Sequence, residues 1–342
     1  MKRRGIELTR RAVLGGMAGV AGLGALQAAG LRTAWAADFP ERNLNIVVPT
    51  NSGGGADRDV RSFNKVWTKY IKASFTYDFF PGAAGQVGYE VYLGKRDPDC
   101  YSLLFGNMGP EVIMYALQKP PYKFPGDYVY ITQVSSEVMA VFVGKNSPIK
   151  SIEQLVSEGK KRTVTIAVSR LPHPASIGMM ALGEATGAKF NLIPYGGGGP
   201  SSRAGLSGET DAVALPIAQP VKLGGEARTL GVFAKKNPVP AETNNAPVVN
   251  AVFGTKIPEL SSSRAFGLHK AAMDKYPDRV AKLKATMKQT VDDPEYAQAV
   301  KDSGLPTAFI DYGDEATAME TAMGTLELAR RYEKLLSAKK KA

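Results

Sequence analysis

Cysteine and histidine are almost missing from this 342-residue chain: Cys100 stands alone, and His173 and His269 are its only imidazoles. A single cysteine excludes an intramolecular disulfide, and its place far along the chain excludes a lipid-anchoring thiol at a processed N-terminus. Cys100 is expected to be an ordinary, partly buried residue. Two distant histidines give no helical His pair, so a metal site would have to lean on carboxylates. Also missing are a Gly-x-Ser-x-Gly elbow and a phosphate loop ending in Gly-Lys-Ser/Thr. The dinucleotide pattern fails as well, because Gly53, Gly54 and Gly55 are consecutive. The expectation is a protein without catalytic residues, metal or cofactor. Basic residues outnumber acidic ones by 43 to 32, yet they are scattered without interleaved aromatics, so no nucleic-acid partner is expected. Past residue 40 the apolar runs are strand-sized, too short to span a bilayer.

The chain start is organised differently. Thr9-Arg10-Arg11-Ala12-Val13-Leu14 has the twin-arginine shape, a Gly/Ala-rich weakly apolar stretch follows, and Ala34-Trp35-Ala36 suits a signal peptidase. Residues 1–36 therefore read as a twin-arginine-type signal peptide, removed on export to the periplasm. What remains is moderately basic, which favours small anions as well as solubility.

From there the chain alternates. Leu44 to Pro49 is a branched apolar run suited to a strand buried on both faces. Thr50 to Gly55 makes a loop, Asp57 stands where a helix N-cap would, and Val60, Phe63, Trp67 and Ile71 recur at helical spacing. Tyr101 to Gly106 and Val138 to Gly144 read as strands, with a helix from Pro110. Ser151 to Gln154 matches a capping box. Thr163 to Val168, Asp211 to Leu215 and Thr229 to Ala234 are further strands, and Ser176 to Thr186 is a helix. Such alternation predicts an α/β fold with mostly parallel sheets. Residues 235–264, dense in proline, asparagine and serine, read as a surface excursion or an interdomain return. Helices resume near Pro277 and from about Asp314 to Leu336, and Lys339 to Lys341 fray.

Three glycine loops stand out: Thr50 to Asp57, Pro81 to Gly88 and Tyr195 to Pro200. Glycine lets backbone N–H groups approach a ligand closely, and a loop entering a helix favours an anion there. A tight turn accounts for each loop equally well when taken alone.

Several segments together resemble the tripartite tricarboxylate transporter solute-binding proteins, the TctC/Bug family. They are Ile46-Val47-Val48-Pro49, Gly53-Gly54-Gly55-Ala56-Asp57 and Phe80-Pro81-Gly82-Ala83-Ala84-Gly85-Gln86-Val87-Gly88. Asp97-Pro98-Asp99-Cys100-Tyr101-Ser102-Leu103-Leu104 and Pro194-Tyr195-Gly196-Gly197-Gly198-Gly199-Pro200 follow in the same order. The resemblance implies a two-lobed periplasmic binding protein-like fold with a ligand cleft between the lobes: 37–138 with 260–342, and 139–259. It also implies a monomer that captures a small organic carboxylate and delivers it to cognate membrane permease subunits. A sensor subunit signalling to a membrane kinase, or an exported enzyme on the same fold, are the alternatives.

By the same resemblance, two loops grip a carboxylate. In the first, Asn51, Ser52, Gly53, Gly54, Gly55 and Asp57 are the candidates, Asp57 equally as a cap. In the second, Ser169, Arg170, His173 and Ser176 are, and Asn107, Tyr195 and Gly197 are expected as cleft liners. The second loop departs from the family, carrying Pro172 and Pro174 and no glycine. Arg170 is then either a charged fork replacing backbone donors or a solvent-facing residue. His173 donates to ligand or is structural, Arg58 is a solvated arginine at the first helix, and Cys100 replaces a turn glycine.

Overall fold

The computed structural model describes residues 39–334. The twin-arginine leader over 1–36 and the terminal lysines lie outside the described residues. The chain divides into two compact units after Glu41, and the fold below is that of the second.

Ten strands are described: β1 (Leu44–Val48), β2 (Phe75–Phe79), β3 (Ser102–Asn107), β4 (Tyr128–Gly144), β5 (Val164–Val168), β6 (Phe190–Pro194), β7 (Ala212–Pro216), β8 (Ala227–Phe233), β9 (Ser261–His269) and β10 (Ile310–Gly313). The early helices are α1 (Gly55–Ile71), α2 (Gln86–Lys95) and α3 (Met108–Gln118). In the middle run α4 (Ile152–Lys161), α5 (Pro174–Thr186), α6 (Gly198–Ser207), α7 (Ala218–Leu223) and α8 (Val249–Phe253). The chain closes with α9 (Lys270–Lys275), α10 (Pro277–Asp292), α11 (Pro294–Asp302) and α12 (Glu315–Arg331).

The strands run β2-β1-β3-β9-β4-β7-β5-β6, with β8 and β10 also on β4. An α/β architecture is present, but the sheet is mixed rather than mostly parallel. β1 pairs in parallel with β2 and β3, and β5 with β6 and β7. Every pairing of β9 and β4 is antiparallel. The 17-residue β4 is shared: Tyr128 to Val138 lies against β9, while Met139 to Gly144 lies against β7 and β8. Only its second half reads as a strand in sequence, because Thr132, Gln133, Ser135 and Glu137 interrupt the first.

Two further expectations are corrected. Residues 235–264 are not all excursion, since β9 begins at Ser261 and is buried through His269. Asp57 is not the N-cap. Gly54 holds that position, while the buried Asp57 carboxylate folds back to accept from the Gly53 N–H at 2.7 Å and the Ser52 hydroxyl at 3.2 Å. Ser151 does cap α4, accepting from the Gln154 N–H, and the Gln154 side chain returns to the Lys150 N–H. Cys100 is fully buried, and burial pushes its thiol up to about 12. Its φ of 71° is the left-handed conformation expected where the family resemblance places a glycine.

Aromatic side chains pack beneath α1 and behind β3. Phe63 and Trp67 of α1 meet Phe266 of β9, and the Trp67 indole donates to Thr286 on α10 at 2.9 Å. Tyr89, Tyr122, Phe124, Tyr128 and Tyr130 form a second aromatic group. Gly106 makes room for it, because a Cβ there would stand 2.7 Å from the Tyr89 hydroxyl.

Gly205, inside α6, illustrates how tightly helix and sheet approach: a Cβ there would overlap the stiff Val213 side chain of β7. Gly205→Ala should therefore destabilise by about 1–3 kcal/mol despite alanine's better helix propensity. Gly94→Ala, at an exposed position of α2 with open space at its Cβ, should be neutral or stabilise by up to about 1 kcal/mol. Urea denaturation midpoints of the two variants check the contrast.

Candidate functional site

The parallel strands β1, β2, β3, β5, β6 and β7 all deliver their carboxyl ends to one cavity of about 440 Å³. Crevices at strand carboxyl ends are the usual ligand sites of α/β sheets, because the loops there are free to vary over a rigid frame. Four helix starts meet at the same place. Gly54 and Gly55 open α1, Asn107 precedes α3, His173 precedes α5, and Gly197 and Gly198 open α6; all line the cavity. No side chain caps α1, α3 or α6, so their first turns leave backbone donors and the positive dipole ends for an anion.

Of the sequence candidates, Asn51, Gly54, Gly55 and Asn107 line one wall, and Ser169, Arg170, His173 and Gly197 the other. Ser52, Gly53 and Asp57 turn into the loop's own hydrogen bonds and are not part of the lining. Ser176 donates to the Arg170 carbonyl at 3.1 Å, and the Tyr195 hydroxyl donates outward to Glu209 at 2.7 Å. Arg58 is half-buried rather than solvated: it donates to the Gly53 carbonyl at 3.3 Å and braces the glycine loop. Five prolines, Pro49, Pro81, Pro172, Pro194 and Pro216, make much of the remaining wall rigid and free of donors.

Arg264 and Gln219 line the cavity without having been singled out in the sequence. Arg264 is 4% exposed. It pairs with Asp59 of α1 at 2.8 Å and with Glu137 of β4, while its Nη2 lies so near Gly55 that a Cβ there would be 2.8 Å away. Only the arginine inside the serine run of β9 signals this, since a cation buried in a central strand survives only when paired.

Arg170 is not solvent-facing. One nitrogen donates to the Ala84 carbonyl, and the other lies 3.8 Å from the Glu111 carboxylate. Ala83 and Ala84 are both left-handed, at φ 49° and 58°. This sparsely populated backbone aims the Ala84 carbonyl at the guanidinium. The α5 start offers the ligand less backbone: Pro174 has no N–H, the Ala175 N–H goes to His173 Nδ1 at 3.1 Å and the Ser176 N–H to the His173 carbonyl at 3.0 Å. The Arg170 guanidinium lines the cavity beside this helix end.

The profile described as "Tripartite tricarboxylate transporter family receptor" matches residues 68–322, well over half the chain. The chain belongs to this family. A Cupriavidus necator relative, the UPF0065 protein in the gbd 5′ region, is 26% identical over 88% of this chain and 88% of its own length. BugT of Bordetella pertussis is 24% identical over 70% of this chain and 74% of its own. Against an Agrobacterium vitis UPF0065 protein the match, at 26% identity, spans half of each. Among solved structures, R. palustris Rpa4515 with adipate superposes with a TM-score of 0.74 at 21% identity, over 88% of this chain and 98% of that one. Rhodopseudomonas palustris MatC with bound malate gives 0.70 at 20%, over 87% and 100%. The periplasmic binding protein BugD gives 0.72 at 20%, over 86% and 98%. The receptor thus has the periplasmic binding protein fold.

In this receptor the charges at the cavity are set by burial. Burial raises Asp59, against the pull of Arg264. Glu111 is pushed up to about 7 by burial, against Arg170 and the hydrogen bonds it accepts. His173 is pushed down to about 3 by burial, aided by Arg170 and Arg264, so it stays neutral. With Nδ1 accepting from Ala175, its Nε2 carries the proton and is a donor. Among the described residues no group of three or more His, Cys, Asp or Glu side chains is placed to hold a metal ion.

Removing the buried cation exposes what it balances. Arg264→Met should cost about 3–5 kcal/mol near neutral pH, because Asp59 and Glu137 are left buried without a counter-ion. In the variant the Asp59 carboxyl, already raised by burial, loses the pull of Arg264 and titrates higher still in the folded chain, so the deficit is small in acid and grows as pH rises. Denaturation at pH 5 and pH 8 reads this, and a deficit independent of pH would contradict it.

Proposed function

We propose that this receptor is exported to the periplasm, acts there as a monomer, captures a small organic carboxylate in the cavity and delivers it to a tripartite tricarboxylate-type permease. One observation carries the reading: uncapped helix starts and two guanidinium groups converge on a single cavity at the strand ends. Such a site attracts an anion. The adipate and malate named for the two Rhodopseudomonas proteins fit that chemistry.

Division of labour follows from the two walls. The α1 start, backed by Arg264, offers a general carboxylate grip from backbone N–H groups. The stiff Ser169–Ser176 loop, with Arg170, selects which acid is held. In this reading 37–138 with 260–342 and 139–259 are two lobes that close over the ligand, hinged where β4 passes from β9 to β7. Among the described residues no helix is long and apolar enough to cross a membrane. The Arg10-Arg11 leader is the proposed route of export.

A thermal-shift screen against organic acids, adipate and malate included, should find one that raises the melting temperature. At a concentration about a hundredfold above Kd the ligand adds about 2.7 kcal/mol. Arg170→Ala should then weaken that acid about tenfold to a hundredfold by calorimetry, as expected for a lost charge-assisted bond. Unchanged binding would mean that the loop selects by shape alone.

A further inference from the structure

Behind Arg170 lies a carboxylate that carboxylate capture itself does not require. Glu111, in the first turn of α3, is 2% exposed. Its Oε2 accepts from the Asn107 N–H at 2.7 Å and from the Tyr89 hydroxyl at 2.8 Å. The Tyr89 proton being used there, Tyr130 donates to Tyr89 in turn, at 2.6 Å. The other oxygen, Oε1, is buried with no hydrogen-bond partner among the described residues, and it faces Arg170 Nη2 at 3.8 Å. A glycine permits this approach. Gly85, at φ 105°, lies where a Cβ would come within 3.2 Å of Glu111 Cγ and 3.4 Å of Arg170 Nη1.

We propose that Glu111 sets the charge Arg170 presents to the cavity, so that anion capture is linked to uptake of one proton on Glu111 Oε1. The proposal rests on the carboxylate reading above and adds to it. With Glu111 ionised, Arg170 already has a counter-ion and the pair is neutral to an incoming anion. With Glu111 protonated, the guanidinium charge is fully available. An anion at Arg170 replaces Glu111 as its partner, and the nearby negative charge drives the proton from cavity water onto Oε1. Oε2 keeps its two donors throughout, so the carboxyl need not move.

The groups around Glu111 leave it as the one that responds. Arg170 faces it from the β5–α5 loop and Arg264 from β9. Tyr89 comes from α2, Tyr128 and Tyr130 from β4, and Tyr122 from the segment after α3. Burial raises all four phenols. His173, at the α5 start, is held neutral. Glu111 itself is pushed up to about 7 by burial. Asp59 is also raised, but it pairs with Arg264 and is the competing proton site.

Calorimetry of adipate and malate binding, at and above pH 7 in two buffers of different ionisation enthalpy, counts the protons. The expected result is uptake approaching one proton per ligand, with affinity falling by up to about tenfold per pH unit above about pH 7. Glu111→Gln should bind without proton uptake and without that pH dependence. No uptake by the parent, or uptake that persists in Glu111→Gln, overturns the proposal, the second result giving the proton to Asp59. Carbon-detected NMR of the glutamate carboxyls tests the pair without ligand. Glu111 should titrate near pH 7 and move upward in Arg170→Gln, where the cation that favours its ionised form is gone. A midpoint that does not move overturns the pairing. Failure of both acids to bind at any pH contradicts the carboxylate reading instead, and the ligand-free midpoint then decides the pair.

Discussion

A buried guanidinium holds the site together. Arg264 stands in the middle of β9, between α1 and β4, and its two carboxylate partners come one from each. Such a triad costs much desolvation, repaid only when the geometry is complete. Here the partners are themselves held, Asp59 by the Ser135 hydroxyl at 3.1 Å and Glu137 by the Ala218 N–H at 3.3 Å. Glu137 thereby ties the β9 side of the sheet to the start of α7. The start of α1 packs against the guanidinium at Gly55, so the charge network adds to the loop's own hydrogen bonds in positioning the first glycine loop. Polar β9 follows from the same constraint: Ser262 donates to the Asn107 side chain and Ser263 bonds Ser136, so the two serines that precede the paired guanidinium in the strand are themselves held.

The cavity built on this frame is chemically unequal. On one wall an uncapped helix offers backbone donors with a cation behind them. On the other, prolines and the capped α5 remove backbone donors at the Ser169–Ser176 loop, where the Arg170 side chain stands beside the uncapped start of α6. Backbone N–H groups treat all carboxylates alike, whereas an arginine fork on a stiff loop reads position and orientation. In the proposed function, general grip and selection fall to loops that follow different strands of the sheet. The ionisable partner of Arg170 comes from the other wall, since Glu111 belongs to the first turn of α3.

What the sequence makes legible is local. LNIVVP, the glycines after it and the helical spacing of Val60, Phe63 and Trp67 give β1, its loop and α1 directly. The glycine loops lead to Gly54, Gly55 and Gly197, and the proline-bearing departure leads to Arg170 and His173. Where the reading fails, partners distant in sequence decide. β9 opens with three serines and an arginine, a loop composition by any local rule, yet it is a buried central strand because Asp59, Asn107, Ser136 and Glu137 satisfy it. Asp57 looks like a cap because its type suits one, but the flexible Gly54 takes that place and the carboxylate folds back onto the loop. Arg170 could be solvent-facing or ligand-facing by sequence. The Ala84 carbonyl and Glu111, 86 and 59 residues away, settle that it is held at the wall.

We propose that a carboxylate sits at the α1 start, with Arg264 behind it and Arg170 opposite. A crystal structure of the receptor soaked with the acid that most raises its melting temperature tests this most directly. One carboxylate is expected within hydrogen-bond distance of the N–H groups at Gly55 and Ala56, with the ligand body against the proline wall and Arg170 in reach of it. A carboxylate bound elsewhere, or an acid held in the cavity with its carboxylate turned away from α1, would contradict it.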